Sequence, residues 1–142
     1  MTATTSAARL APQVGDKAEP KTYAPLTRTD FVKYQGASGD FHPLHHDELF
    51  AKATGFPSVF SVGMLQAGLL ATYITDWLGV EQLRRFKVRF ADQVWPGDEL
   101  TCSATVIDVA ETDDGTRVTV ELLCMRQTGS AALQGDAEFI VV

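Results

Sequence analysis

Hydrophobic and polar positions divide this chain into two regions with different periods. In "RRFKVRF", residues 84–90, Phe86, Val88 and Phe90 alternate with Arg85, Lys87 and Arg89, the two-residue period of a strand with one buried face. The segments "ELTCSATVIDVA", "TRVTVELLCMRQ" and "SAALQGDAEFIVV" follow at regular spacing, separated by the turn signals "DDG" and "TGS". They predict an antiparallel meander. Upstream, "GMLQAGLLATYITDWLG", residues 63–79, carries apolar side chains on nearly every side of a helical wheel, interrupted by Gln66, Thr72, Thr75 and Asp76. Such a helix is expected to be buried on most sides, and the strands are its natural wrapper.

Two shorter helices precede it. In "LTRTDFVKYQGASG", Thr27 and Asp30 form a capping-box-like start and Gly36 and Gly39 mark the end; in "HDELFAKATGF", Asp47 and Glu48 suit the positive end of a helix and Gly55 its far side. A further strand is expected near "KTYAP". Helices followed by strands predict an α+β fold, with one antiparallel sheet curved around a long central helix. The 142 residues suffice for one core. Residues 1–20, rich in Ala and Thr and without the apolar stretch of a secretory signal, read as a flexible N-terminal arm, leaving residues 21–142 as the domain.

Composition then narrows the functional classes. With 45% hydrophobic and 21% charged residues the chain is an ordinary globule, and a net charge of −6 disfavours a nucleic-acid role. No apolar run reaches the roughly 18 residues of a membrane span, so a cytoplasmic protein is expected. Cys102 and Cys124 fall inside strand-like runs and are assigned no chemistry.

Candidate chemistry concentrates in "GDFHPLHHD", residues 39–47, which holds all three histidines. Pro43 biases His42 away from helical backbone, so the segment is a turn whose two ends can fold toward each other. An aspartate at 40 and a histidine at 45 then suit proton transfer, since histidine as a residue type titrates near neutrality. The same spacing also fits a plain turn, with Asp40 as a cap and His45 as its satisfied partner. Asp40, His42, His45, His46 and Asp47 include enough ligand types for a divalent ion, but adjacent histidines tend to point apart, so no metal is expected.

"SGDFHPLHHD" followed by "FSVGML" at 60–65, and then "VRFADQVWPGDEL", resembles the MaoC-like dehydratases and (R)-specific enoyl-CoA hydratases, from about Leu26 to the C-terminus. That resemblance implies the hot-dog fold, a sheet wrapped around one helix. It implies Asp40 and His45 as a catalytic dyad and Gly63 as the residue whose backbone N–H receives a thioester carbonyl. His42, Ser61, Val62 and Met64 are implied as substrate-binding neighbours. Two positions depart from the family pattern: His42 stands where Asn is usual, and Val62 where His often precedes the Gly-Met pair. His42 is expected to donate a hydrogen bond that orients the turn.

The activity implied is interconversion of a trans-2-enoyl thioester, on CoA or an acyl carrier protein, and its (R)-3-hydroxyacyl counterpart, with no metal or redox cofactor. A homodimer or higher homo-oligomer is implied, with a heterodimer as an alternative. The rival reading is an acyl-thioester-binding subunit that turns over only with a partner; a thioesterase on the same fold is a third. "YITDWLG" at 73–79 is similar to actinobacterial subunits acting on steroid side-chain thioesters, which implies a bulky acyl group. The basic run Arg84, Arg85, Lys87 and Arg89 reads either as a charged edge that discourages strand pairing or as an attractor for CoA phosphates or an acidic carrier protein.

Overall fold

The computed structural model describes residues 11–142. Helix α1 spans Arg28–Ser38, α2 Glu48–Ala53 and α3 Gly63–Leu78; strands are β1 Lys21–Thr22, β2 Leu83–Phe90, β3 Leu100–Thr112, β4 Gly115–Arg126 and β5 Ala131–Val141. Single 3-10 turns cover Pro43–His45 and Val80–Gln82.

Local chemistry sets these boundaries. Thr27 caps α1 by accepting from the Asp30 N–H, while the Asp30 carboxylate accepts from the Thr27 N–H at 2.8 Å, a reciprocal capping box. Gly39 ends the helix at φ +78°, a left-handed conformation that a side chain would disfavour, and Gly36 lies inside it. Asp47 caps α2 by accepting from the Phe50 N–H.

All five strands join one antiparallel sheet in the order β1-β3-β4-β5-β2. The expected meander is β3-β4-β5, and "KTYAP" supplies β1. β2, first of the long strands in sequence, lies at the far edge against β5, because α3 carries the chain across the sheet before it enters. On β3, Leu100, Cys102, Ala104 and Val106 alternate inward; Val118, Val120, Leu122 and Cys124 do so on β4. With Leu133, Ala137 and Phe139 of β5 they pack into one core with Ala67, Leu70 and Ile74 of α3. The α+β expectation of a sheet around one helix therefore holds.

Three expectations need correction. α3 is buried along one face only: Met64 is 56% exposed and Gly68 and Thr72 are exposed, since the sheet covers a single side of the helix. The inward period of β2 fails at its end, where Phe90 is 55% exposed. Of the arm expected over 1–20, residues 1–10 lie outside the described residues, but the stretch from Gly15 to Ala18 is tied to β3. There the Gly15 N–H donates to Val106 O at 2.8 Å, the Ala18 N–H to Ala104 O at 3.2 Å, and the Ala18 side chain is buried.

Candidate active site

The segment after α1 is organised by one buried amide. Gln35 lies one helical turn beyond the buried Phe31 and is itself 2% exposed. Its Nε2 donates to Asp40 O at 2.9 Å and to His42 O at 3.1 Å, and its Oε1 bonds His46 Nδ1 at 3.0 Å. A single side chain thus ties down the start, middle and end of the histidine turn. Within the turn, Asp40 Oδ1 accepts from the His42 N–H at 3.3 Å, and His42 Nδ1 accepts from the Leu44 N–H at 3.1 Å. The expectation for His42 is reversed: its ring nitrogen caps the 3-10 turn as an acceptor, because the free N–H there belongs to the backbone.

His45 is half-buried, and its Nδ1 lies 2.7 Å from Phe60 O. A carbonyl oxygen can only accept, so Nδ1 carries the hydrogen. Nε2 is then the nitrogen left free for proton exchange. The Phe60 ring meets the imidazole edge to face, centroids 5.2 Å apart, and the Phe60 N–H donates to Leu44 O at 3.3 Å. The segment before α3 is therefore pinned to the histidine turn through Phe60, a residue to which the sequence pattern assigns no role of its own.

A cavity of about 260 Å³ opens beside these groups, lined by His45, Phe60, Ser61, Gly63, Gln66 and the Phe90–Gln93 segment. Gly63 is the first residue of α3, where no intrahelical acceptor exists for its N–H, and none of the described residues accepts from it. Val62, the N-cap, makes no side-chain bond to the helix end. A Cβ on Gly63 would lie 2.7 Å from Phe90 Cε1, so glycine is needed for that ring to cross the helix terminus. Ser61 and Gln66, each 3% exposed, bond to each other at 2.6 Å.

The structure thus brings His45, Ser61 and Gly63 to one cavity. Asp40 is exposed on the turn and is absent from the cavity lining, because its carboxylate bonds back to its own turn. His42, exposed, and Met64 on the outer face of α3 also lie off the lining, and Val62 is buried behind it. Each histidine commits Nδ1 to a neighbour, and among the described residues no three His, Cys, Asp or Glu side chains converge as a metal-ligand set.

The opposite wall is braced by ions. Arg126 Nε donates to Asp98 Oδ2 at 2.7 Å and its Nη1 to Asp92 Oδ2 at 2.8 Å; Gln127 Nε2 and the Trp95 N–H also donate to Asp98. Burial, the largest single influence on the Asp98 carboxyl, raises its pKa. The bonds from Arg126, the Trp95 N–H and Gln127 outweigh it and hold the group below the usual carboxylate range. This clamp fixes the Trp95–Asp98 turn, and the Ser61 N–H donates to Val94 O at 2.8 Å, which aligns the α3 entry. On β2, Arg85 pairs with Asp136 and Arg89 bonds Gln134, so part of the basic run is already partnered by β5. Cys102 and Cys124 face each other across β3 and β4, fully buried; contact with the Cys124 sulfur, then burial, pushes the Cys102 thiol up, consistent with inert core residues.

The chain is similar to known proteins of one family. The profile of the family described as MaoC like domain matches residues 9–126. A fatty acid synthase beta subunit, pkiC, of Emericella nidulans is 34% identical over 112 residues, covering 74% of this chain and 6% of that protein. The peroxisomal hydratase-dehydrogenase-epimerase of Saccharomyces cerevisiae is 35% identical over 99 residues, covering 68% of this chain and 11% of its own length. The chain therefore spans only a small part of these curated relatives. Among solved structures, an (R)-hydratase from A. caviae involved in PHA biosynthesis superimposes with a TM-score of 0.80 at 27% identity, covering 93% of this chain and 98% of that one.

Proposed function

The chain belongs to the MaoC-like dehydratase family, and from that premise we propose that it is a hydro-lyase interconverting a trans-2-enoyl thioester and its (R)-3-hydroxyacyl thioester. The observation that carries the reading is the shared cavity: a histidine with its tautomer set by Phe60 O stands beside an unspent backbone donor at Gly63.

Hydration requires a base to activate the water that attacks C3, an acid to protonate C2, and a donor for the charge that builds on the thioester oxygen. His45 Nε2 takes the proton of the attacking water. Gly63 N–H receives the oxyanion at the positive end of α3, where the lack of a side chain admits close approach. Asp40, five residues before His45 on the same turn, shares the proton traffic with it; in the single chain its carboxylate is exposed and accepts from the His42 N–H. Elimination uses the same groups in reverse.

Cavity size bears on assembly. At about 260 Å³ and open to one side, the pocket is smaller than the ~300–1,000 Å³ that encloses a typical organic ligand. Exposed apolar side chains are carried by the segments around it, namely Phe41, Leu49, Phe50, Met64 and Phe90. We infer that a second copy of the chain covers this face and completes the acyl site. No helix among the described residues is long and apolar enough to cross a membrane.

The test is loss of enoyl absorbance with crotonyl-CoA and a longer enoyl-CoA on the purified chain. Turnover that falls by at least about 10²-fold in Asp40→Asn and in His45→Ala supports the reading. Activity that appears only after a second polypeptide is added contradicts it in favour of a partner-dependent subunit. Release of free thiol without a hydroxyacyl product would mean a thioesterase.

A further inference from the structure

The cavity that holds His45 and the Gly63 amide also contains a polar group to which the reaction above gives no task. Gln66 is 3% exposed, stands on the buried face of α3 with Ala67 and Leu70, and lines the cavity. Its Oε1 accepts from Ser61 Oγ at 2.6 Å, and Ser61 is equally buried. The Ser61 hydroxyl has Val62 O at 3.3 Å and Gln66 Oε1 at 2.6 Å; its one hydrogen goes to the nearer acceptor, which turns Nε2, with two N–H groups, away from Ser61. Among the described residues nothing accepts from it. Nε2 is not among the buried atoms that lack a partner, so it keeps contact with open space, and the open space beside Gln66 is the cavity.

Position on the helix indicates what that is. Residue 66 lies three beyond residue 63, on the same face of α3, and both line the one cavity. We propose that Gln66 Nε2–H is a second donor to the thioester oxygen, so that the developing oxyanion of a 2-enoyl or 3-hydroxyacyl thioester is held by one backbone and one side-chain N–H. Ser61 is a positioning residue that aims the amide. Val62 is apolar and makes no side-chain bond at the helix start, so a side-chain donor to this oxygen comes instead from within the helix, one turn on. The inference rests on the hydro-lyase reading and adds to it only a hydrogen bond, with no change in the proton or electron balance of the reaction.

The experiment uses the purified full chain and crotonyl-CoA, with Gln66→Leu, Gln66→Glu and Ser61→Ala. Gln66→Leu keeps comparable bulk and removes both N–H groups; kcat is expected to fall roughly 10²-fold with KM changed less than about threefold. Gln66→Glu, close to isosteric, keeps the polar shape and brings a carboxylate to the oxyanion, so its loss is at least as large. This variant also carries the test if Gln66→Leu fails to fold. Ser61→Ala, which only frees the amide to rotate, is expected to lose about 5- to 10-fold, less than either.

A spectroscopic readout separates donation from structural support. In a His45→Ala background, the infrared carbonyl band of bound crotonyl-CoA carrying a ¹³C label at C1 is expected to move to higher frequency when Gln66→Leu is added. An unchanged band, or a kcat within threefold of wild type in Gln66→Leu, overturns the proposal alone. Absence of any enoyl-CoA turnover by the wild-type chain overturns the hydro-lyase reading and the proposal with it.

Discussion

Replacing Gly63 with alanine separates chemistry from stability more sharply than any other single change. The added Cβ would lie 2.7 Å from Phe90 Cε1 and 3.0 Å from Cδ1, against an ordinary carbon–carbon contact of about 3.5–4.0 Å. The ring must therefore withdraw by roughly 1 Å. Phe90 is 55% exposed, so it has room to do so, and the penalty belongs at the low end of overpacking, about 1 kcal/mol. Alanine offsets part of this, since it favours helix over glycine by up to about 1 kcal/mol. Net stability should stay within about 1 kcal/mol, a melting shift of no more than about 4 °C.

Activity responds differently to the same methyl, which stands beside the N–H that must meet the thioester oxygen. The N–H remains in alanine, but a methyl that holds the oxygen away from it is expected to cost as much as losing the donor, about 10²-fold or about 3 kcal/mol. The assay is kcat/KM on crotonyl-CoA beside a thermal melt, for Gly63→Ala and for Gly63→Ala/Phe90→Ala. The expected result is a loss near 10²-fold in both with little change in melting. Activity within threefold of wild type, or restored once the ring is removed, would refute the role given to the Gly63 amide.

Other consequences follow from particular contacts. Asp98→Asn removes one of the two negative charges that face Arg126 in the clamp, leaving Asp92, and should cost about 3 kcal/mol at neutral pH, read by urea titration. Because the folded Asp98 carboxyl is held below its ordinary value, its contribution is full above about pH 4 and is lost as pH falls through the folded pKa; the variant should therefore show a shallower acid limb. Gln35→Leu removes three bonds to the histidine turn and should lower kcat by ~10-fold or more while the melting curve remains cooperative; unchanged kcat would show that the turn holds its own geometry. Gly135→Ala would place a Cβ 2.1 Å from Lys87 O, a backbone atom that cannot step aside, so the β2–β5 edge should open and stability should drop by at least about 3 kcal/mol in a denaturant melt.

Much of this architecture was legible in the chain. Thr27 and Asp30 marked a helix start because a capping box is a local device, and the period of β3, β4 and β5 showed one buried face because side chains alternate on a pleated strand. Period says nothing about partners, which is why the pairing of β2 with β5 was out of reach. The apolar wheel of α3 misled for a related reason. Apolar residues such as Met64 and Leu69 report that a surface is to be covered, and a single chain covers only the sheet side. At the site, the proline turn and the glycine that opens α3 were readable, whereas the acceptor that sets the His45 tautomer is a backbone carbonyl fifteen residues away, which leaves no side-chain signal. Gln35 and Gln66 each left a faint one: a polar residue on a helix position whose neighbours are buried.

The central claim is tested most directly by a crystal structure of the chain bound to a 3-hydroxyacyl-CoA. The account predicts the thioester oxygen within about 3 Å of the Gly63 N, and the C3 hydroxyl within hydrogen-bond reach of His45 Nε2 with the Asp40 carboxylate turned toward it. An acyl group seated instead in the hollow beside Trp77 and Gln82, with the His45 cavity empty, would contradict it.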